Sequence, residues 1–579
     1  MLDEATLPSR KPPTHRLLRL LAALALFCLA GAAAAVAPAA RDDGKTGVLL
    51  VTPDRGFLGN EEVRDAFDAY AKGRNAEVLF LTDARSEAVL DEALAALARR
   101  GARHVDVLPL VISAADPRWR QAEGWLKARK ARGTQLAIAP VYGESYLAVE
   151  DLAQRLREAH TDKRRLLLVG YGARNADESR AMRADLARMA SFASTLDADA
   201  IGTVVYPAGR DAQAKSLREE AVKALHAAHG ALVLPVAFAP RDDSMMDFAN
   251  WYADDLPDDA LAASSPIAST DALSQWMARA TTQLDLARQP AGIDDVGVIV
   301  LAHGADWFWN RDLMQALAPV VARHKVAWAF SMADPVVVER AVRQLEAQGV
   351  RAIVVVRVFG MASSFRGSVE RMIGADVAGG GQAPHAMHAH GMEMAMGHMD
   401  MGASSLAAAP RIRSAVPMVT VGGVDDDPLF ARALLEQARK LSKAPSRETV
   451  ILVAHGEGDD AANQRWLDLL GSLAKQMRAD GGSDFRAIRV ATWREDWPAK
   501  SKPAIAQVRD MVKAAQRDGG RALVIPARVN GRGAADRYLA GLDFGWGEGF
   551  AQSPLFADWV EQQVQAGIAE LDHAPHQAH

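Results

Sequence analysis

The sequence predicts an α/β protein of four repeated half-units, with mostly parallel sheets flanked by helices. Two observations support this prediction. Short apolar runs recur along the chain, each followed by polar or glycine-rich residues and then by a helical pattern. Continuous runs of this kind are typical of strands that are buried on both faces of a parallel sheet. Related amphipathic helices also recur at matching positions, which indicates true repetition.

The first strand of each unit is an uninterrupted apolar run. The four runs are GVLLVT (47–52), RLLLVG (165–170), GVIVLA (297–302) and VILVA (450–454). A later strand in each unit reads HVDVLPLVI, ALVLPVAF, AIVVVRVF or ALVIPARV. Each later strand follows a helix whose predicted end is marked by a glycine, namely Gly101, Gly230, Gly349 and Gly520.

Each unit closes with a related helix: YLAVEDLAQRLREA, TDALSQWMARATTQL, DDPLFARALLEQARKL or SPLFADWVEQQVQAG. The predicted units therefore span 45–162, 163–290, 291–445 and 446–572. We pair them into module one (45–290) and module two (291–572).

Composition narrows the class of protein. The chain has 579 residues, which favours several domains, with 49% hydrophobic and 24% charged residues, as in ordinary globular proteins. The formal net charge is −5, and the chain has no long basic run. We therefore expect no nucleic-acid partner.

Residues 1–40 are predicted to be an export signal. Four basic residues (Arg10, Lys11, Arg16 and Arg19) precede the apolar run LLAALALFCLAGAAAAVA, and small residues follow it. The alternative is an uncleaved N-terminal anchor. Since no other stretch is long and apolar enough to span a membrane, we expect a periplasmic protein without a membrane span after signal removal. The single cysteine, Cys28, lies within the signal, so a metal site in the mature chain would use histidine, methionine or oxygen ligands.

Two histidines end the first strands of units three and four. His303 lies in VIVLAHGADWFWN (298–310), and His455 lies in VILVAHGEGDDAAN (450–463). In open α/β sheets, ligands bind outside the carboxyl ends of the strands, so both rings are candidates for chemistry. The alternative is that each histidine ends a strand without any function.

These phrases and the closing PLF helices resemble the class II chelatases, the sirohydrochlorin cobaltochelatase and ferrochelatase (CbiX/SirB-like) family. LAHGADWFWNRDL and VAHGEGDDAANQRWLDLL carry most of the resemblance. It implies insertion of Co²⁺ or Fe²⁺ into a tetrapyrrole held between two half-units. His303 and His455 would then bind the metal and accept the pyrrole protons. Unit two has Tyr171 at this position, and unit one has no histidine there.

The family usually has a further histidine after the third strand, and the sequence departs from this pattern. Arg357 and Arg528 occupy related places in units three and four. We predict that these arginines pair with substrate carboxylates and that Trp307 stacks on the macrocycle. The alternatives are structural ion pairs for the arginines and core packing for the tryptophan.

The segment 385–402, HAMHAHGMEMAMGHMDMG, is the sharpest compositional feature. It is predicted to be a loop that binds metal ions through His385, His388, His390, His398, Met392, Met394 and Met396. Imidazole and thioether ligands favour copper (Cu⁺ or Cu²⁺) above all, with Ni²⁺, Co²⁺ or Zn²⁺ as further candidates. The alternative is a low-complexity linker that binds metal adventitiously. The tail, 573–579, adds His573, His576 and His579.

The leading hypothesis is a class II chelatase-like protein, a lyase that takes a divalent metal ion and a tetrapyrrole such as sirohydrochlorin. Module one, which lacks the strand-end histidine, would be a scaffold. The first alternative is an exported metal-binding or metal-delivery protein that uses the His/Met-rich loop without catalysis. The second is a tetrapyrrole carrier. The sequence leaves the choice between enzyme and binding protein open.

Overall fold

A computed structural model describes residues 45–54, 56–159, 165–194, 196, 198–209, 211–236, 255–262, 268–377, 410–531 and 533–573. The predicted export signal, the His/Met-rich loop and the tail after His573 lie outside these residues. Within the described residues, sixteen strands form four sheets of four parallel strands each, flanked by helices. The predicted fold class is confirmed. None of the described helices is long and apolar enough to cross a membrane.

The two units of module one have the same arrangement. Unit one contains β1 (Thr46–Pro53), α1 (Gly56–Ala71), β2 (Ala76–Leu81), α2 (Ser86–Arg99), β3 (His104–Pro109), α3 (Pro117–Ala131), β4 (Leu136–Ile138) and α4 (Tyr146–Glu158). Unit two contains β5 (Arg165–Ala173), α5 (Ala176–Ala193), β6 (Ile201–Pro207), α6 (Ala212–His226), β7 (Ala231–Pro235), β8 (Leu261–Ala262) and α7 (Thr270–Arg288). Their sheet orders are β2-β1-β3-β4 and β6-β5-β7-β8.

Module two repeats this order. Unit three contains β9 (Val296–Ala302), α8 (Trp307–Ala316), α9 (Ala318–Val321), β10 (Lys325–Phe330), α10 (Pro335–Glu346), β11 (Ala352–Val358), α11 (Arg366–Met372), β12 (Met418–Gly422) and α12 (Pro428–Leu441). Unit four contains β13 (Glu448–Ala454), α13 (Asp460–Ala479), β14 (Ala487–Thr492), α14 (Pro498–Ala515), β15 (Arg521–Pro526), α15 (Ala535–Tyr538), β16 (Gly545–Trp546) and α16 (Leu555–His573). The orders are β10-β9-β11-β12 and β14-β13-β15-β16.

The strand order places the first strand of each unit between the second and the third. In unit three, Val300 of β9 pairs with Trp328 on one side and with Val356 on the other. Since all pairs are parallel, the carboxyl ends of these strands share one edge of the sheet. His303 and His455 follow directly at that edge in their units.

One hydrophobic core joins the two units of module two. It contains Val298 and Val300 of β9 together with Val450 and Leu452 of β13. The closing helices are exchanged, because α16 of unit four packs on β11 and β12 of unit three, while α12 of unit three packs on β15 of unit four. At Gly567 of α16, an added Cβ would lie 2.4 Å from Val354 Cγ1, so the helix needs glycine to approach the sheet this closely. Units one and two likewise share a core.

The glycine stop signals are correct in three units and displaced by one residue in the fourth. Gly101, Gly230 and Gly349 have φ of 97°, 65° and 70°, the left-handed conformation that ends a helix. In unit four Gly520 is extended, and the neighbouring Gly519 has φ of 68° instead.

The two modules meet along helix α7 and the segment 410–417. Arg279 of α7 donates to Val416 O at 2.6 Å, and Arg351 Nη2 of unit three lies 2.5 Å from Asp285 Oδ2 of the same helix. Tyr146 of α4 donates its hydroxyl to Ile412 O at 3.0 Å. Buried charges from both modules are therefore paired across this junction.

Candidate functional site

The His-Gly turns of units three and four are built alike. Gly304 and Gly456 have φ of 74° and 80°, a conformation that favours glycine. A Cβ on Gly304 would lie 2.9 Å from Phe330 Cβ, and one on Gly456 would lie 2.7 Å from Thr492 Cβ. Each turn therefore passes directly against the end of the neighbouring second strand, which explains why glycine follows each histidine.

The helix after each turn begins in the same way in both units. Asp306 caps α8 by accepting from Trp309 N at 2.9 Å, and Asp459 caps α13 by accepting from Ala462 N at 2.7 Å. The side-chain oxygen of Asn463 also accepts from the amide of Glu457 at 3.2 Å, and in unit three that of Asn310 accepts from the amide of Ala305 at 3.0 Å. Asparagine thus ties each turn to its helix and holds the histidine at the end of the strand.

His455 is engaged at both ring nitrogens. Its Nδ1 lies 2.9 Å from Gly456 O, and its Nε2 lies 3.0 Å from Asp496 Oδ2. Burial by itself would lower the pKa of His455, but its hydrogen bond with Asp496, helped by Gly456 O, raises that pKa above the ordinary histidine value. Two acceptors around one ring favour the imidazolium form, in which both nitrogens donate. The indole of Trp497 meets this ring edge-on, with centroids 5.8 Å apart.

His303 is exposed, and it interacts electrostatically with the Asp496 carboxylate that binds His455. Its Nδ1 lies 2.5 Å from Gly304 O. The hydrogen bond with His455 lowers the pKa of Asp496, and the positive charges of His303 and Arg528 act in the same direction. Two histidines from different half-units and one arginine are therefore within electrostatic range of Asp496, whose side chain is 53% exposed.

Arg528 follows β15 at the carboxyl edge of the sheet of unit four and is paired with a second carboxylate. Its Nη2 is 3.5 Å from Glu495 Oε1. An added Cβ on Gly533 would lie 2.5 Å from Arg528 Nη1, so the loop after β15 needs glycine to make room for the guanidinium. A substrate carboxylate at Arg528 would compete with Glu495.

Arg357 has a different role from the one predicted. It is only 2% exposed, and burial lowers its pKa. Nε donates to Thr420 Oγ1 at 3.2 Å, Nη1 to Ala362 O at 2.7 Å and Ser364 O at 3.1 Å, and Nη2 to Gly422 O at 2.9 Å. Each nitrogen of the guanidinium is used inside the protein, so the geometry gives Arg357 a structural role and not a substrate contact. The alternative prediction of a structural ion pair for Arg357 also differs from this geometry, because the partners of Arg357 are neutral oxygens and not carboxylates.

The three aromatic residues after His303 separate into two groups. Trp307 and Phe308 are 66% and 63% exposed at the start of α8. The guanidinium of Arg311 lies 5.3 Å from the centroid of the Phe308 ring. Trp309 packs against the shared core, and its carbonyl accepts from Asn530 Nδ2 at 2.9 Å. Core packing thus explains Trp309, while Trp307 and Phe308 are available to a ligand.

Module one has different chemistry at the corresponding positions. Tyr171 and Gly172 take the place of His-Gly in unit two, and Gly172 has φ of 120°. The Arg118 guanidinium and the Asp116 carboxylate of unit one lie beside Gly172. In unit one, Asp54 follows the strand and accepts from Asn60 Nδ2 at 2.9 Å and from Thr82 Oγ1 at 3.1 Å. These side chains replace the two imidazoles of module two.

The predicted ligands of the His/Met-rich loop lie outside the described residues, but its flanking residues are described. These predicted ligands are His385, His388, His390, His398, Met392, Met394 and Met396. Asp376 precedes the loop and Arg411 follows it, and their side chains pair at 2.7 Å. Arg411 also donates to Phe192 O of module one at 3.1 Å. These described flanking residues lie at the junction of the modules, and Arg411 precedes the amino-terminal end of β12.

Sequence reasoning missed the residues that surround His455. Asp496 and Glu495 lie in WREDWP (493–498) after the second strand of unit four, where unit three has SMADP (331–335). An acidic pair directly after a buried strand was the signal that was available. Within the described part of the chain, no three His, Cys, Asp or Glu side chains lie close enough together to form a complete metal-binding group.

No protein-family model and no curated protein matches this chain. Solved structures do. The chain is similar to DR2241 of Deinococcus radiodurans, a multi-domain protein described as structurally similar to chelatases, with 16% identity and a TM-score of 0.29. The match covers 48% of this chain and 56% of that protein.

SirB of Bacillus subtilis with Fe³⁺ is 13% identical with a TM-score of 0.32, over 42% of this chain and 97% of SirB. The sirohydrochlorin chelatase SirB in complex with cobalt is 16% identical with a TM-score of 0.25, over 33% of this chain and 74% of SirB. Because identities and TM-scores are low, these matches assign neither a metal nor a substrate to this chain.

Proposed function

We propose that module two is a class II chelatase-like enzyme that binds a divalent metal ion in its crevice and inserts it into a tetrapyrrole such as sirohydrochlorin. One observation carries this proposal. His303 and His455 directly follow the first strands of two different half-units, at the carboxyl edges of their sheets, and His455 holds the Asp496 carboxylate at 3.0 Å. In this proposal a flat macrocycle would lie between the two half-units, and these residues would deliver the metal to it.

The ligand types fit a borderline divalent ion. Imidazole and carboxylate ligands suit Fe²⁺, Co²⁺ or Ni²⁺. Since no three such side chains of the described residues lie together as a metal-binding group, His303 would join His455 and Asp496 only when the ion binds. The ion is substrate in this reaction, so the site must bind it and then release it. A half-exposed Asp496 and an exposed His303 are compatible with such transfer, because little protein has to move to free them.

The proton balance assigns different tasks to the two histidines. Metal insertion replaces two pyrrole N–H protons by one M²⁺ ion. His303 can accept one of these protons, and the His455–Asp496 pair can take up the other when the metal leaves it for the macrocycle. His455 must first release the proton that it shares with Asp496, because a metal ligand uses the same nitrogen lone pair. The metal would then take the place of that proton between the imidazole and the carboxylate.

The substrate would be held by groups around this floor. Trp307 and Phe308 offer exposed rings to the face of the macrocycle. Arg528 can bind a peripheral carboxylate when Glu495 gives way to it. The predictions for Trp307 and Arg528 remain part of this proposal.

The test is an absorbance assay with sirohydrochlorin and Co²⁺. The mature protein is compared with His303→Ala, His455→Ala and the double variant. His226→Ala is the matched control, because His226 is an exposed histidine of module one that pairs with Asp255. We expect accelerated metallation by the wild type and by the control, and loss of acceleration in the double variant. Metallation no faster than in the protein-free mixture contradicts the chelatase proposal.

The composition of the His/Met-rich loop favours a second candidate, a metal-delivery protein without catalysis. Deletion of 385–402 and the His303/His455 double variant separate the two. Copper or nickel stoichiometry that survives the double variant but not the deletion supports delivery by the loop. Tight pigment binding without a change of metallation would support a tetrapyrrole carrier.

We also propose that residues 1–40 direct export to the periplasm. The N-terminal sequence of the protein recovered from cell fractions tests this. A periplasmic protein that begins near residues 35–40 is expected, and an intact N-terminus in the cytosolic fraction would overturn the proposal.

A further inference from the structure

Two loops of unit four are each one residue longer than their counterparts in unit three. The helix cap Asp306 lies three residues after His303, whereas Asp459 lies four residues after His455. On the next strand, Ser331 N and Trp493 N donate to Ala302 O and Ala454 O and so mark equivalent positions. The following helix cap comes three residues later in unit three, at Asp334, and four residues later in unit four, at Trp497.

The two longer loops are joined by one arginine. Arg494 N donates to His455 O at 2.7 Å. Its guanidinium donates to Glu457 O from Nε at 2.5 Å and to Gly458 O from Nη2, and it pairs with Asp460 at 2.7 Å. The indole of Trp497 covers Gly458 so closely that an added Cβ would lie 2.4 Å from its Nε1. Arg494 thus contacts the backbone of the His455 turn at three successive points.

Arg494 holds this position in an unfavourable backbone conformation. Its φ is 52°, in the left-handed region that side chains other than glycine rarely adopt. Such outliers persist where surrounding contacts determine them, and they concentrate at functional sites. The loop of unit three also contains a residue of this kind, Ala333 with φ of 59°. Met332 and Ala333 have no side-chain donors, so they cannot tie the His303 turn in this way.

We propose that Arg494 is a positioning residue that holds the His455 turn in its metal-binding geometry, while the His303 turn, which has Asn310 but no such arginine, is held less tightly. This inference rests on the proposed function of the crevice. The proposed site is therefore asymmetric. The turn that carries His455 is already fixed before metal binds, and the turn that carries His303 adjusts when the ion binds. A site that must pass its metal to a substrate needs one such adaptable ligand.

The experiment compares Arg494→Gly, Arg494→Lys and the wild type. Glycine relieves the backbone conformation but removes the guanidinium, and lysine retains a charge but cannot donate to both carbonyls. Ala333→Gly is the matched control, since it makes the same backbone change in unit three. Hydrogen exchange of the peptide 455–463 is measured in the metal-free protein, and Co²⁺ affinity is measured by calorimetry.

For Arg494→Gly we expect faster exchange in 455–463, an unchanged midpoint of global unfolding and Co²⁺ affinity lowered by roughly 10- to 100-fold, as for other residues that orient metal ligands. Arg494→Lys should lie between this variant and the wild type, and Ala333→Gly should match the wild type. Unchanged exchange in Arg494→Gly overturns the inference whatever the Co²⁺ result. If exchange is faster in Arg494→Gly but the wild-type protein binds no Co²⁺ at His303 and His455, then Arg494 anchors the turn and the proposed function is contradicted.

Discussion

His455 Nε2 lies 3.0 Å from Asp496 Oδ2, and the two residues reach each other from the ends of the neighbouring strands β13 and β14. The pair belongs to unit four, yet the electrostatic interaction with His303 of unit three also lowers the pKa of Asp496. This carboxylate is therefore one of the places where charged groups of the two half-units interact, beside ion pairs such as Arg439 with Asp484 and His324 with Glu561.

The first prediction concerns the charge state of this pair. In Asp496→Asn the pKa of His455 should fall, because the carboxylate that favours the imidazolium is gone. Titration of the His455 ring by NMR in the metal-free protein measures this. Asp91→Asn, an acid of module one paired with Arg129, is the control and should leave the His455 titration unchanged. An equal pKa in wild type and Asp496→Asn would rule out the hydrogen bond as the cause of the shift.

The pair should also make stability depend on pH in a bounded window. The folded pKa of His455 is raised, so its contribution is present at low pH and is lost as pH rises through that pKa. The folded pKa of Asp496 is lowered, so its contribution is lost as pH falls through that pKa. The wild type should therefore exceed Asp496→Asn in free energy of unfolding only between these two values, by less than about 1 kcal/mol for so exposed a pair. Urea unfolding across pH checks this, and a difference that persists at pH 9 would contradict it.

Arg357→Met should destabilise the protein without acting directly on the crevice. The substitution leaves Ala362 O, Ser364 O and Gly422 O without their donor in a buried place, and it should cost at least about 2 kcal/mol of unfolding free energy. Chemical denaturation gives this value. Co²⁺ affinity measured where the variant is still folded should equal that of the wild type. Full stability with impaired substrate binding would restore the role predicted from the sequence.

Arg528→Gln tests whether Arg528, in contrast to Arg357, binds a carboxylate of the substrate. Since Arg528 is paired with Glu495 at the crevice, we expect weaker tetrapyrrole binding with little change in stability. Fluorescence or absorbance titration with the pigment measures the dissociation constant. Unchanged pigment binding would remove Arg528 from the substrate site.

Trp307→Ala and Phe308→Ala test the exposed aromatic surface. Both rings are mostly exposed, so the unfolding midpoint should change little. An aromatic contact contributes about 0.5–1.5 kcal/mol, so each substitution should weaken pigment binding roughly 2- to 10-fold. Val336→Ala, at another exposed apolar residue of unit three, is the control. Equal pigment affinity in all three variants would contradict stacking on these rings.

The buried ion pairs at the junction between the modules should contribute to the free energy of unfolding. Arg351 pairs with Asp285 at 2.5 Å and with Asp295 at 3.2 Å, and its side chain is nearly fully buried. Arg351→Met removes the nearest cation from the buried Asp285, which then keeps Arg288 at 3.7 Å, and this should cost up to about 3–5 kcal/mol. The exposed pair of Arg180 with Asp177 offers the control, Arg180→Ala, for which we expect little change. Comparable unfolding curves for both variants would show that the junction contributes no more than a surface pair.

The sequence by itself determined the elements and their repetition. Apolar runs such as VIVLA can be buried only between two layers of helix, and a glycine after His303 or His455 reports a local backbone conformation, so both were readable from neighbouring residues. The helix caps Asp306 and Asp459 and the closing helices are local signals of the same kind.

Only the tertiary structure decided which charged groups meet. Asp496 lies 41 positions after His455 (496 − 455), and the parallel crossover through α13 and β14 brings them together. Arg357 and Arg528 look equivalent in sequence, yet loop carbonyls surround the first and the crevice receives the second. A charged side chain has no preferred partner until packing sets its distance to other charges and its access to water. For that reason the histidines could be predicted as site residues, while Asp496, Glu495 and Arg494 could not.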